Sequence, residues 1–366
     1  MTNPTPDPIR ACAAQIAPAD GPAMIAVQQR LDHLTKPQGS LGQLEHLLVR
    51  LAGSTAHALP QVQQPVILLC AADHGIAVAG VSAYPQAVTA QMVLNFLAGG
   101  AAISVLAHAT NTRLIVVDAG VVGDLPDHPD LHRLHIRRGT ANLAAEPAMT
   151  LAEAHAAVLA GMTLAQAAHA DGMDMLLVGE MGIGNTTAAA TLTSALTGAP
   201  PTQTVGRGTG IDAARLAHKQ ALVAQALRRV GLGDGQRWDG DALLLLAEVG
   251  GLELAVLVGA MLAAAAQRIP ILLDGYITTA AALVAARLAP QLPAHLIAAH
   301  CSAEPGHALA LAELGLTGDN AAAPLLQLEL RLGEGSGAAL ALPLIQHTLR
   351  LLHTMATFEA AGVSTA

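Results

Sequence analysis

Pro65-Val-Ile-Leu-Leu-Cys-Ala-Ala-Asp-His-Gly75 is the stretch that decides the fold. Val66–Ala72 is an unbroken apolar run, bounded by a proline on one side and a polar corner on the other. A run of this length predicts a strand buried on both faces, which is the habit of parallel sheets. Its end at Asp73-His74-Gly75 matters equally, because open α/β proteins bind ligands just beyond the C-terminal ends of their strands. The pattern recurs along the chain. Arg113–Ala119 closes on the corner Asp118-Ala119-Gly120, Met173–Val178 on Gly179-Glu180, Pro270–Leu273 on Asp274-Gly275, and His295–Ala299 on His300-Cys301-Ser302. His132–Ile136 reads as a further short, exposed strand. Helical patterns separate most of these segments, including Val88–Leu97, Leu151–Ala170 behind a Thr150–Glu153 capping box, a helix from Asp212 to about Val230, and Ile277–Leu288. The expected fold is therefore α/β, a doubly wound and mostly parallel sheet of Rossmann-like type.

Both ends of the chain lack strand patterns. Ile9–His57 is helical around a break at Thr35–Gly42, where Pro37 and Gly39 force a turn and Ser40 with Gln43 resembles a capping box. A last helix runs to about Glu359. Residues 1–57 and 336–366 are expected to join as a small helical domain beside a large α/β domain spanning residues 58–335.

With 366 residues the chain has room for one large domain with a smaller partner. Hydrophobic residues make up 52% but aromatics only 1%, so Ala, Leu and Val must fill the interior. Mean hydropathy is +0.47, which raises the question of a membrane span. The longest apolar run, Leu254–Ala266, is shorter than the ~20 residues a span requires and reads as a buried or interface helix. Met1–Pro8 lacks the basic and apolar regions of a signal peptide. Cys12, Cys70 and Cys301 are too widely spaced for a disulfide framework or a zinc motif, so the cytoplasm is the expected compartment. A net charge of −9 with no basic block argues against nucleic acid as a partner.

Several glycine loops carry the chemistry. Gly179-Glu-Met-Gly-Ile-Gly-Asn-Thr-Thr187 follows a strand and opens a helix, an arrangement that gathers free amides and a positive helix end for a phosphate. The competing reading is a tight turn with Asn185 or Thr186 as an ordinary cap. Gly206-Arg-Gly-Thr-Gly-Ile-Asp212, with Lys219 two turns into the next helix, is a second anion candidate or else a turn with solvated charges. Lys36 reads as structural or, less readily, as a phosphate contact. Arg331-Leu-Gly-Glu-Gly-Ser-Gly-Ala-Ala-Leu340 sets Glu334 between two glycines, with Ser336 placed to cap the last helix. Two carboxylates in glycine loops, Glu180 and Glu334, suggest proton transfer or stabilisation of a positive centre. Tyr84, beside the Gly80–Gln86 corner, either stacks on a ring or fills a core gap. Gln91 and Asn95 share a face of the helix that follows. His300, Cys301, Glu304 and His307 match no standard zinc spacing, and no G-x-S-x-G elbow is present, so neither a metal nor a serine nucleophile is expected.

Taken in order, these motifs resemble a known family. Leu34-Thr-Lys-Pro-Gln-Gly-Ser-Leu-Gly42, Asp73-His-Gly75, the Gly179–Thr187 loop, Leu272-Leu-Asp-Gly275, Ser302-Ala-Glu304 and Arg331–Ala339 together are similar to nicotinate-nucleotide–dimethylbenzimidazole phosphoribosyltransferases, the CobT family. The resemblance runs from about Leu31 to Leu352, and Arg331–Ala339 is its most specific part. It implies that nicotinate mononucleotide and 5,6-dimethylbenzimidazole give α-ribazole 5′-phosphate and nicotinate, with inversion at ribose C1′, in the making of the cobalamin lower ligand. It implies Glu334 as the general base for the benzimidazole N–H and Glu180 as a second acid near the developing positive ribose. It also implies Gly182, Asn185 and Thr186 as a phosphate and ribose wall, and Gly208, Lys219, Ser302 and Gly335 near the phosphate. Ser82, Tyr84, Gln91, Met92 and Leu332 fall where the benzimidazole is expected, with the choice between Gln91 and Met92 open. No cofactor and no metal are implied, and relatives are homodimers. A polar loop at 317–323 leaves the preferred base open. A nucleotide-dependent oxidoreductase would need a dinucleotide fingerprint after an early strand, which is absent. A non-catalytic nucleotide-binding protein would leave Glu180 and Glu334 without a role.

Overall fold

A computed structural model describes residues 7–318 and 323–364. The chain begins with α1 (Pro8–Gln15), α2 (Gly21–His33) and α3 (Gln43–Thr55), then enters the sheet at β1 (Pro65–Ala72). There follow α4 (Val88–Leu97), α5 (Ala102–Ala109), β2 (Arg113–Gly120), β3 (Leu131–Arg133), α6 (Leu151–Ala170) and β4 (Met175–Met181). Next come α7 (Asn185–Thr197), α8 (Pro201–Thr204), α9 (Ala213–Arg229), α10 (Ala242–Val249) and α11 (Leu252–Ala266). The chain ends with β5 (Ile271–Leu273), α12 (Tyr276–Leu288), β6 (Leu296–Ala298), α13 (Pro305–Glu313), α14 (Ser336–Thr354) and α15 (Phe358–Ala361).

The six strands lie in the order β3-β2-β1-β4-β5-β6 and every pair is parallel. This is the doubly wound arrangement, and the order reverses between β1 and β4, where such sheets open a ligand crevice. All eight residues of β1 are buried, as its unbroken apolar run predicts. Alternate residues serve opposite faces. Val66, Leu68 and Cys70 enter one core with α6, α11 and α12, whereas Ile67, Leu69 and Ala71 enter the other with α3, α5 and α14. On the first face α6 and α11 touch backbone to backbone. A Cβ on Gly161 would lie 1.9 Å from the Val256 carbonyl oxygen, and one on Gly259 would lie 1.9 Å from that of Val158.

Some expectations shift. The short exposed strand is Leu131–Arg133 rather than His132–Ile136, an edge strand paired with β2. The third expected strand ends at Met181, not Val178, because β1 offers partners as far as Cys70 and Ala71. Glu180 is thus a strand residue opposite Cys70, not a loop residue. Ser40 caps nothing. Gly42 stands at the N-cap of α3, and Glu45 turns back to accept from the Leu41 amide at 3.0 Å. The same Glu45 binds Lys36 at 2.8 Å with both side chains buried, so Lys36 is structural. Val88–Ala109 reaches a mean hydropathy of 1.6, but a break at Gly99-Gly100 divides it into α4 and α5, each well short of the ~20 residues of a membrane span. Of the polar loop at 317–323, residues 319–322 lie outside the described residues.

Candidate active site

The crevice at the switch point holds a cavity of about 510 Å³, within the ~300–1,000 Å³ common for small-molecule sites. The end of β4 gives it Glu180 and Met181, the following turn gives Gly182–Gly184, and α7 gives Asn185 and Thr186. Gly275 follows β5, and His300, Ser302 and Glu304 follow β6. Ser82 and Tyr84 close one side, Gly208 and Thr209 another, and Arg331–Gly333 the mouth. The polar corners of β1 and β2 turn elsewhere. Asp73 accepts from the Val122 amide, Asp118 from the Val121 amide, and His74 pairs with Glu253 at 2.7 Å, both fully buried.

The anion-binding end follows from the turn before α7. Gly184 is the N-cap, in the left-handed region at φ +99°, and has no side chain to cap with. Asn185 and Thr186 do not cap either. The Asn185 amide nitrogen donates to a Glu180 carboxylate oxygen, and Thr186 Oγ1 accepts from Lys219 Nζ at 2.7 Å. The positive end of α7 is therefore left for a ligand, with a lysine beside it. Lys219 lies just behind the cavity wall, 1% exposed, and burial lowers its pKa to about 8 against the opposing charge of Glu304. Gly208 faces the same end, but its amide donates to Glu304 Oε1 at 2.9 Å, and its carbonyl accepts from Arg331 at 3.1 Å. Ser302 is held by its own amide, which donates to His307 Nδ1 at 2.8 Å. Burial drives His307 down to about 3, so the ring is neutral and can accept.

Acids crowd the other end. Glu180 is 4% exposed, and its carboxyl is pushed up to about 8, first by burial and then by the charges of Asp274 and Glu253. Glu334 is also buried. Burial raises its pKa, the Ile103 amide at the start of α5 opposes, and Asp274 adds to the rise. The backbone there is unusual. Gly333, Glu334 and Gly335 all have positive φ, at +84°, +65° and +86°. For Glu334 this costs about 1 kcal/mol or more, which the surroundings must supply. They do so by contact. A Cβ on Gly179 would sit 2.5 Å from the Glu334 carbonyl oxygen, so strand and loop touch without side chains between them. Glu334 Oε2 is buried without a hydrogen-bond partner, an acceptor short of a donor.

Of the residues expected from sequence, Ser82, Tyr84, Glu180, Gly182, Asn185, Thr186, Gly208, Ser302 and Leu332 line the one cavity. Tyr84 is 56% exposed and fills no core gap. Ser82 Oγ lies 3.1 Å from Thr209 Oγ1, which joins the base side to the 206–212 turn. Lys219 and Gly335 stand directly behind the wall. Gln91 and Met92 do not line the cavity: Gln91 is exposed on α4 and Met92 packs half-buried on the second core. Glu334 sits beneath the mouth rather than in the cavity lining. Ser336 does not cap the last helix. It is the first helical residue, because Gly335 takes the left-handed N-cap position, and its hydroxyl donates to the Gly333 carbonyl at 2.6 Å. Asp274, His300, Thr209 and Arg331 join the site without having been marked for it by sequence. For Asp274 and His300 the signal was their place at strand ends; for Thr209 and Arg331 it was their place in the 206–212 and 331–340 glycine loops, whereas their pairing with Ser82 and Gly208 across distant loops left no local signal. Among the described residues no cluster of His, Cys, Asp and Glu suits a metal.

The chain is similar to known proteins over nearly its whole length. A family model described as "Phosphoribosyltransferase" matches residues 16–363. A protein of Chloroflexus aurantiacus named nicotinate-nucleotide–dimethylbenzimidazole phosphoribosyltransferase is 49% identical, over 98% of this chain and 99% of its own. One of the same name from Thermus thermophilus is 51% identical over 92% of this chain and 96% of its own. The crystal structure of CobT from Thermus thermophilus superposes with a TM-score of 0.88 at 49% identity, covering 94% of this chain and all of that one.

Proposed function

This chain belongs to the nicotinate-nucleotide–dimethylbenzimidazole phosphoribosyltransferase family, and on that basis we propose how its cavity works. The enzyme transfers the 5-phosphoribosyl group of nicotinate mononucleotide to 5,6-dimethylbenzimidazole, giving α-ribazole 5′-phosphate and nicotinate for the cobalamin lower ligand. The phosphate lies at the start of α7, near Lys219, Thr186, Gly208 and Ser302. The ribose passes Asn185 and Gly182 towards Glu180. The benzimidazole enters beside Ser82, Tyr84 and Leu332. One nitrogen of the base attacks C1′ from the α face. The C1′–pyridinium bond breaks with its electron pair returning to the ring nitrogen, and nicotinate leaves uncharged at the ring. The proton on the other base nitrogen goes to Glu334. The observation that carries this reading is the buried Glu334 carboxylate with a partnerless Oε2 and a raised pKa, an acceptor suited to an N–H donor. Incubating the protein with both substrates tests it. Nicotinate and a ribosylated base phosphate should appear in equal amounts, and no release of nicotinate would contradict it.

Lys219→Ala should raise the KM for the nucleotide roughly 10–100-fold with a smaller change in kcat, the loss expected of one charge-assisted contact to phosphate. An unchanged KM would move the phosphate elsewhere.

The family's homodimer is part of the proposal. Leu94 on α4 and Val105 on α5 are 41% and 57% exposed, apolar side chains on consecutive helices that a second copy could cover. Sedimentation should then give about twice the 37.0 kDa of one chain; a species of single-chain mass would contradict it. We also propose a cytoplasmic setting, supported by three free cysteines, two of them buried. The same applies to the division into residues 58–335 and residues 1–57 with 336–366, supported by ties between the chain ends. The Thr35 amide donates to the Ala356 carbonyl at 3.0 Å, and Arg30 donates to the Leu352 carbonyl at 2.6 Å.

A further inference from the structure

Asp274 directly follows β5, is 1% exposed, and takes no direct part in the transfer. Its carboxylate grips the start of α14. Oδ1 accepts from the Gly337 amide at 2.7 Å and the Ala338 amide at 3.1 Å, and Oδ2 accepts from the Gly335 amide at 3.2 Å. A cap supplied from another strand, rather than by the residue before the helix, is what Gly335 makes necessary. The chain arrives in the left-handed region with no side chain to fold back. Glu334 immediately precedes these gripped amides. A shift of the helix start would therefore move the base, since Gly333–Gly335 is held by few other side-chain bonds.

We propose that Asp274 is a positioning residue for Glu334: it fixes the loop that carries the base, and its negative charge faces both Glu334 and Glu180. The inference rests on Glu334 being the base. The ionisable groups around Asp274 are Glu334 from the loop before α14, Glu180 from β4, and His300 from the loop after β6, whose Nε2 is 3.7 Å from Oδ1. Glu253 on α11 acts on Glu180 from behind. Among the described residues His300 is the one basic side chain within ion-pair distance of Asp274, and burial lowers its pKa. The acids therefore face one another with little positive charge between them. Burial pushes the Asp274 carboxyl itself up to about 7, and wherever it is ionised its like charge makes Glu334 hold its proton more tightly and strengthens it as a base.

The test is the pH dependence of kcat/KM, read first on the wild-type enzyme with nicotinate mononucleotide and dimethylbenzimidazole. Wild-type activity with a limb on the acid side establishes the parent reading. Its absence overturns that reading and this one together, whereas the Asp274 variants bear on positioning alone. Asp274→Asn keeps an acceptor for Gly337 and Ala338 but removes the charge. It should shift the acid limb downward by about one pH unit and lower kcat roughly tenfold. Asp274→Glu restores the charge with a longer arm, and should return the limb towards the wild-type position while kcat stays low. If Asp274 were only a helix cap, Asn would lower the melting temperature and leave the limb in place, and that result overturns the proposal. Should Asp274→Asn fail to fold, carboxyl-carbon NMR on the labelled wild type decides. Glu334 should titrate in two steps, one of them shared with Asp274; a single step independent of Asp274 overturns the proposal.

Discussion

Glu334→Gln is expected to lower kcat by roughly 10²–10⁴-fold and to change the KM for the nucleotide by no more than about twofold. Glutamine has the same length and can still accept from the Ile103 amide, so the left-handed loop should survive. What it lacks is a basic lone pair. Attack on C1′ without removal of the N–H proton would leave the new nucleotide with a cationic ring, a poorer product and a later barrier. In the proposed binding mode Lys219, Thr186 and Asn185 hold the phosphate and ribose, so binding of the nucleotide should hardly notice the change. Steady-state kinetics on both substrates read this directly. Full turnover in the variant would remove Glu334 as the base, and a large rise in nucleotide KM would make it a binding residue instead.

Glu180→Gln is expected to lower kcat by roughly 10²–10³-fold, the range seen when one electrostatic stabiliser is removed from a site. Charge is the reason. In the free protein the Glu180 carboxyl is pushed up to about 8 by burial and by its acidic neighbours, so it is largely protonated at neutral pH. A bound nucleotide brings a pyridinium cation, which favours the ionised form. As the glycosidic bond breaks, positive charge moves onto the ribose, and an ionised Glu180 can follow it. Glutamine copies the protonated carboxyl and cannot ionise. The same shift has a second consequence. Because the folded pKa, about 8, lies above the ordinary 4.5, the folded state holds a proton that the unfolded chain has released over this interval. The contribution of Glu180 to stability is therefore full below about pH 4.5 and declines as the pH rises towards 8. Glu180→Gln should flatten that decline without abolishing it. Asp274, raised from 3.8 to about 7, contributes its own decline over a lower range. Melting curves between pH 5 and pH 8, set beside the kinetics, check both points. Unchanged kinetics would make Glu180 a packing residue.

The fold was legible where local pattern and tertiary demand agree. The bounds of β1 match its apolar run, and the Thr150–Glu153 capping box and the Asp212 N-cap form as the sequence suggests. The departures share one cause. Ser40 and Ser336 each stand where a capping serine belongs, but a glycine takes the N-cap position before each helix, at Gly42 and Gly335. The polar work then falls to other partners: Asp274, just past β5, grips α14 from 63 residues away, and Glu45 binds Lys36 nine residues back across the turn. Short-range pattern does not report such pairs. Gly179 and Gly182 flank Glu180 and suggest a loop, whereas pairing with β1 carries the strand through it. Gly179 is not there for a turn. It lets the Glu334 backbone lie directly against the strand. The site was legible through its motifs, since most of the expected residues share one cavity. The base side was less so. Gln91 and Met92 sit on a helix whose face towards the cavity depends on how α4 packs, and no local pattern sets that.

A direct displacement at C1′, with Glu334 taking the proton, fixes the anomeric configuration of the product. Proton NMR of the ribosylated base formed from β-nicotinate mononucleotide should show the α anomer alone. A product with retained β configuration would mean that a carboxylate, Glu180 or Glu334, attacks the ribose first, and direct displacement would have to be abandoned.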